Sequence, residues 1–251
     1  MKIIVNADDL GLSQEINDAI FAHMTTGRVT SATVLANAAA LDDAARRAKD
    51  FPRCSFGVHL NADEFRPLTA SPALARLLDA EGNFIGNRVR EIPVDGALRA
   101  AVFAEWSAQV ERVRAAGFAI SHFDSHHHIH TVPGLLPVLK ALQKKFAVRR
   151  VRASMNLYPA DAPAAWALRW KKAAWNFALR NYFATRTTDG FTSLEIFATK
   201  ASRAGLEKKF RTMELMVHPG GADFASETAL LATEWWRGLK FPVELMSYDE
   251  L

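Results

Sequence analysis

Met1-Lys2-Ile3-Ile4-Val5-Asn6-Ala7-Asp8-Asp9-Leu10-Gly11-Leu12-Ser13 opens the chain, and its reading decides the fold. A short β-branched apolar run, Ile3 to Val5, predicts a strand; two acids follow it, and Ser13 caps a helix predicted over Gln14 to Met24. The same handover recurs. Further strands are predicted at Ala32 to Leu35, Ser55 to Leu60, Ile120 to Phe123, Val148 to Arg152, Leu194 to Phe197, Glu214 to Val217 and Val243 to Met246. Between them fall helices over Leu41 to Lys49, Ala97 to Ala116 with Gly117 as the stop, Gly134 to Phe146, Ala164 to Phe183 and Thr228 to Arg237. Strand and helix in alternation predict an α/β protein with a largely parallel sheet, helices packed outside it.

The chain has 251 residues, of which 49% are apolar and 23% charged, enough to fill one large core and too apolar for a disordered protein. No repeat or low-complexity linker divides it, so residues 1–251 are expected to form a single domain. The one cysteine, Cys54, rules out an internal disulfide framework and reads as a small buried hydrophobe. With acids at Asp8 and Asp9 and no apolar run of spanning length, the expected location is cytoplasmic. A net charge of +4 is spread over short basic pairs without a recognition motif, which argues against nucleic acid as a partner.

The unusual polar residues fall at the carboxyl ends of predicted strands: Asp8 and Asp9 after the first, His59 in the third, His126 to His130 after the fourth, and His218 after the seventh. In parallel α/β folds that edge gathers the active site, because loops from several strands converge there. Clustered imidazoles beside carboxylates suit a divalent metal ion. Two alternatives stay open for Asp124-Ser125-His126-His127-His128-Ile129-His130: if extended, His126, His128 and His130 share a face with Asp124; if helical, His126 and His130 pair. Asp124 is a candidate to orient a ligating ring, or else a helix cap. Of the adjacent Asp8 and Asp9, one can hold a metal while the other takes a proton from water.

Taken together, Asn6-Ala7-Asp8-Asp9-Leu10-Gly11-Leu12-Ser13, Gly57-Val58-His59, Asp124 to His130, and His218-Pro219-Gly220 resemble the YdjC-like carbohydrate deacetylases from end to end, with support from Thr30 to Thr33, Arg66-Pro67-Leu68-Thr69 and Ser247-Tyr248. The resemblance implies a distorted TIM-like (β/α) barrel that removes acetyl groups from N-acetylated amino sugars with a divalent cation. Carried over by motif, it implies Asp9, His59 and His126 as metal ligands, Asp8 as general base and His218 as general acid. Asp124, His128, His130 and Arg66 then become substrate-side or supporting residues. The family points to magnesium, with zinc, manganese and cobalt as alternatives, and to a homodimer. Leu10 departs from the phenylalanine common in the family, and Leu60 to Phe65 lies in a stretch that varies, which leaves the sugar open.

Rival readings are a metal-dependent phosphoesterase or amidohydrolase and a non-catalytic sugar-binding protein. Trp166, Trp170, Trp175, Phe177, Tyr182 and Phe183 crowd one predicted helix with Arg169, Lys171, Lys172 and Arg180. Core or dimer packing, a sugar-stacking lid and a peripheral lipid contact are the readings of that helix.

Overall fold

A computed structural model describes residues 1–160, 164–200 and 205–251. Strand β1 (Lys2–Leu10) leads through α1 (Gln14–Thr25) to β2 (Ser31–Val34), and α2 (Leu41–Ala48) leads to β3 (Ser55–Leu60). A long excursion with the short α3 (Arg88–Glu91) and the twenty-residue α4 (Gly96–Ala115) returns the chain to β4 (Ile120–Ser125). There follow α5 (Leu136–Phe146), β5 (Arg150–Val151), α6 (Trp166–Asn181), β6 (Gly190–Ser193), α7 (Leu194–Lys200), α8 (Leu206–Lys209), β7 (Thr212–Val217), α9 (Ala225–Leu231) and β8 (Glu244–Leu245).

The sheet order is β5-β4-β3-β2-β1-β7-β6, every pairing is parallel, and β8 adds to the first half of β1. This curled sheet, a half-barrel with helices around it, is the α/β architecture expected. Its two ends approach one another: Val151 N donates to Arg186 O at 3.1 Å, and Asn156 N donates to Phe191 O at 3.2 Å. One hydrophobic cluster runs from Ile3 to Phe241, and Cys54 packs against its margin as a free thiol.

Two irregularities in the sheet shape the site. Between Ala7 and Leu10, β1 spends one residue more than β2, and Asp9 in that bulge takes a left-handed φ of 66°. Strict alternation sends Asp8 and Asp9 to opposite faces; the bulge returns both to the same mouth. Between Phe56 and Val58, β4 has the extra residue, and His122 folds over Gly57, where an added Cβ would lie 2.6 Å from the ring.

One strand was expected in the wrong place. Leu194 to Phe197 is helix, and the strand is Gly190–Ser193 just before it. Ser193 Oγ accepts from Ile196 N at 3.3 Å, and Leu194 and Phe197 are buried three positions apart, which is helical spacing. The helix expected over Thr228 to Arg237 begins earlier and breaks: α9 ends at Leu231, and Trp235–Gly238 forms a separate 3-10 turn.

Candidate active site

The floor of the site is a buried charge cluster centred on Arg152, which follows β5. Arg152 Nη1 and Nη2 donate to Asp8 Oδ2 and Oδ1 at 2.7 and 2.6 Å, Nη1 also reaches Asp124 Oδ2 at 2.8 Å, and Nε donates to Glu214 Oε1 at 2.7 Å. Tyr248 Oη donates to the other oxygen of Glu214 at 2.5 Å. Burial works against the Asp8 charge, but Arg152, His59 and His218 outweigh it and hold the carboxyl well below the ordinary range. Burial likewise pushes Glu214 up to about 7 despite Arg152 and Tyr248.

Cross-strand register places His59 opposite Asp124. His59 Nδ1 donates to Asp124 Oδ1 at 2.7 Å, and Thr33 Oγ1 donates to Asp124 Oδ2 at 2.9 Å. With Nδ1 engaged by Asp124, His59 Nε2 points at Asp9 Oδ1 at 3.4 Å and at Asp8 Oδ2 at 4.0 Å. His126 repeats the arrangement from the other side: Nδ1 lies 3.1 Å from Asp9 Oδ1 and Nε2 lies 2.7 Å from Glu64 Oε2. Burial opposes its charge, yet Asp9 and Glu64 raise His126 to about 9.

One atom each from Asp9, His59 and His126 therefore converges, all within 4.8 Å of one another. Ligand atoms about 2.0–2.2 Å from a common ion stand at roughly such separations, and each imidazole already has a carboxylate on its far nitrogen. The donor set fits a divalent cation, which would replace the proton between His126 and Asp9.

His218 completes the mouth. Its Nε2 lies 3.9 Å from Asp8 Oδ2, its backbone N donates to Glu227 Oε1 at 2.6 Å, and its ring stacks on Phe224 at 4.2 Å. Burial works against protonation, but Glu227 and Asp8 raise its pKa above the usual histidine value. The turn behind it is pressed against α1: Gly220, at φ 85°, would place a Cβ 2.9 Å from Ala19 Cβ. Asp8, Asp9, His218 and Phe224 line a cavity of about 240 Å³.

The other expected residues divide. Asp124 is hydrogen-bonded to His59 Nδ1. Neither geometry considered for the histidine run describes it, because His127 and His128 are both left-handed, at φ 47° and 57°, and split it into two short turns. His127 turns outward to Asp63, while His128 stands edge-on to Phe191 at 5.5 Å with its Nδ1 unpartnered. His130 is fully buried below the site, where Nε2 donates to Arg152 O at 3.3 Å and Nδ1 accepts from Ser125 Oγ at 2.5 Å. Arg66 does not join the cluster: it is exposed and its Nη2 donates to Glu81 O at 2.8 Å. Sequence reasoning missed Arg152, Glu64, Glu214, Glu227 and Thr33. The legible signal was Glu214, a carboxylate inside the apolar run Met213 to Val217, which requires a buried partner.

The chain is similar to known proteins over most of its length. A carbohydrate deacetylase of Oceanobacillus iheyensis is 31% identical over 226 residues, 89% of this chain and 87% of its own. Those of Halalkalibacterium halodurans and Geobacillus stearothermophilus are 37% and 40% identical over 147 and 153 residues, and there the match spans about three fifths of the relative's length, 61% and 60%. The crystal structure of an Enterococcus faecalis V583 protein named for cellobiose-phosphate cleavage superposes with a TM-score of 0.74 over 99% of this chain and 98% of that one, at 22% identity, a likeness of fold alone. The family described as YdjC-like protein matches residues 2–241, and the chain belongs to that family.

Proposed function

We propose that the protein hydrolyses the acetamide of an N-acetylated amino sugar, releasing acetate and the free amine. The observation that carries this reading is the convergence of Asp9 Oδ1, His59 Nε2 and His126 Nδ1 beside an ionised Asp8 and a protonatable His218. Amide hydrolysis needs an activated water and a proton for the departing nitrogen, and these residues offer both. Asp9, His59 and His126 would hold a divalent cation. That ion supplies Lewis acidity, bringing the pKa of water within reach of a base as weak as Asp8 and offsetting charge on the carbonyl oxygen.

Asp8 does the rest of the first half. Both oxygens accept from Arg152, and Oδ1 accepts in addition from Asn6 Nδ2 at 3.0 Å, so Oδ2, which faces both His59 and His218, is the oxygen that receives the water proton. Arg152 keeps that carboxylate ionised and fixed. His218, held by Glu227 and Phe224, then gives its Nε2 proton to the amine as the carbon–nitrogen bond breaks. No covalent acyl-enzyme is involved.

The test is acetate release from a panel of defined N-acetylated sugars with magnesium, zinc, manganese or cobalt supplied and then chelated. Release that stops on chelation is expected, and the panel identifies both the sugar and the ion. If no acetamide is cleaved by metal-loaded protein, a sugar-binding or phosphoester-cleaving role takes its place. His218→Ala is expected to lower turnover by about 10²-fold with KM little changed; an unchanged turnover removes it as the acid.

A further inference from the structure

The described surface has eight exposed large apolar side chains, and six of them, Trp166, Leu168, Trp170, Phe177, Tyr182 and Phe183, lie on or just after α6. The helix is anchored by its inner face, where Trp175 and Leu179 are 7% and 0% exposed. Trp166, Trp170 and Phe177 are 75%, 69% and 70% exposed, and their spacing puts them in one stripe on the opposite side. Nothing in the α/β core calls for three aromatic rings facing outward.

The charge on the same helix is one-sided. Arg169, Lys171, Lys172 and Arg180 are its only charged residues, and no acid occurs between positions 164 and 188. These four cations equal the entire excess of 31 basic over 27 acidic side chains. Among the described residues none of the four forms an ion pair, whereas other surface arginines, such as Arg46, Arg47 and Arg76, do. A groove of about 520 Å³ opens beside the stripe, lined by Tyr158, Trp166, Arg169, Trp170 and Lys172.

We propose that this face of α6 docks on an anionic lipid bilayer, with Trp166, Trp170 and Phe177 among the headgroups and the cations against lipid phosphates. Aromatic rings with a polar edge and flanking Lys/Arg are the side chains that partition to that interface. A second copy of the chain fits the face poorly, because a twofold contact would bring the cations of one α6, Arg169 and Lys171 foremost, against those of the other with no acid on either helix to offset them. Association is peripheral, since no helix among the described residues is long and apolar enough to cross a membrane. Because α6 follows a parallel strand, its first turns lie at the carboxyl edge of the sheet. The rim of the cleft is close: Arg90, whose charge acts on Lys172, donates through Nη2 to His127 O at 2.6 Å. The proposal does not depend on the deacetylase reading.

The experiment is sedimentation of the full chain with vesicles of phosphatidylcholine alone or with one-third phosphatidylglycerol, at about 0.05 M and about 0.5 M salt. At low salt, binding to the anionic vesicles is expected to exceed that to the neutral ones by at least about tenfold and to be lost at high salt. The variant W166A/W170A/F177A is expected to bind at least about tenfold more weakly with an unchanged circular dichroism spectrum, because the three side chains are exposed. Equal binding to both vesicle types, or undiminished binding by the triple variant, overturns the proposal. So does a dimer seen by light scattering that the triple variant converts to monomer while vesicles stay unbound, which would assign the face to a second copy.

Discussion

Asp8 and Asp9 are chain neighbours, yet they belong to two different regions of the site. Asp8 is part of the floor, where Arg152, Asp124, Glu214 and Tyr248 are buried and saturate one another. Asp9 belongs to the rim with His126, Glu64 and His218, where only His126 is buried while Asp9 and His218 are half-buried and Glu64 is exposed. The floor is closed by its own ion pairs, and the rim opens on the cavity. A buried ion cluster is a costly foundation, since its charges are compensated only by their own geometry, and this makes the two regions separable by mutation.

The sharpest break comes where they touch. Asp8→Asn keeps the shape but removes the carboxylate proposed as the base, and acetate release is expected to fall by about 10²–10⁴-fold with metal content unchanged; a rate near that of the parent protein would assign the proton to another group. On the floor itself, Arg152→Met leaves three carboxylates buried without a cation. Urea unfolding is expected to show a loss of about 3–5 kcal/mol, and a loss near zero would mean the cluster does not organise the fold.

The floor also predicts a pH dependence that the rim does not share. Burial and the Arg152 charge depress His130 to about 3, so its neutral form stabilises the native state above its unfolded pKa of about 6.5, and that contribution is lost as pH falls toward 3. Stability measured below pH 6.5 is expected to drop by up to about 1.4 kcal/mol per pH unit from this residue, and His130→Gln flattens the slope. The mildest change concerns the rim alone. Glu64→Gln, which weakens the orienting contact on His126 Nε2, is expected to reduce metal affinity by about tenfold in a calorimetric titration while leaving the unfolding midpoint in place.

Much of this site was legible because strand ends announce themselves. Asp8, Asp9, His59, His126 and His218 each stand where an apolar run meets a turn, and parallel topology brings such positions together. What the sequence hid depends on local backbone geometry or on partners far along the chain. The histidine run has no regular period, since two consecutive left-handed residues decide that His126 faces Asp9 while His127 looks outward. Arg152 resembled any other cation in Arg149 to Arg152 until Asp8, Asp124 and Glu214 were placed around it. Glu64 and Arg66 sit two residues apart in an irregular loop, and only the first turns toward a histidine. Leu194 to Phe197 misled because a short apolar run suits a strand and a buried helix face equally well.

The guanidinium of Arg152 reaches a carboxylate 144 positions earlier in the chain and another 62 positions later. A ribosome that has released only the first two thirds of the polypeptide has therefore produced Asp8, Asp9 and the histidine run, but neither Glu214 nor His218. The buried cluster and the rim around it thus close only after β7 and the turn that follows it have been made.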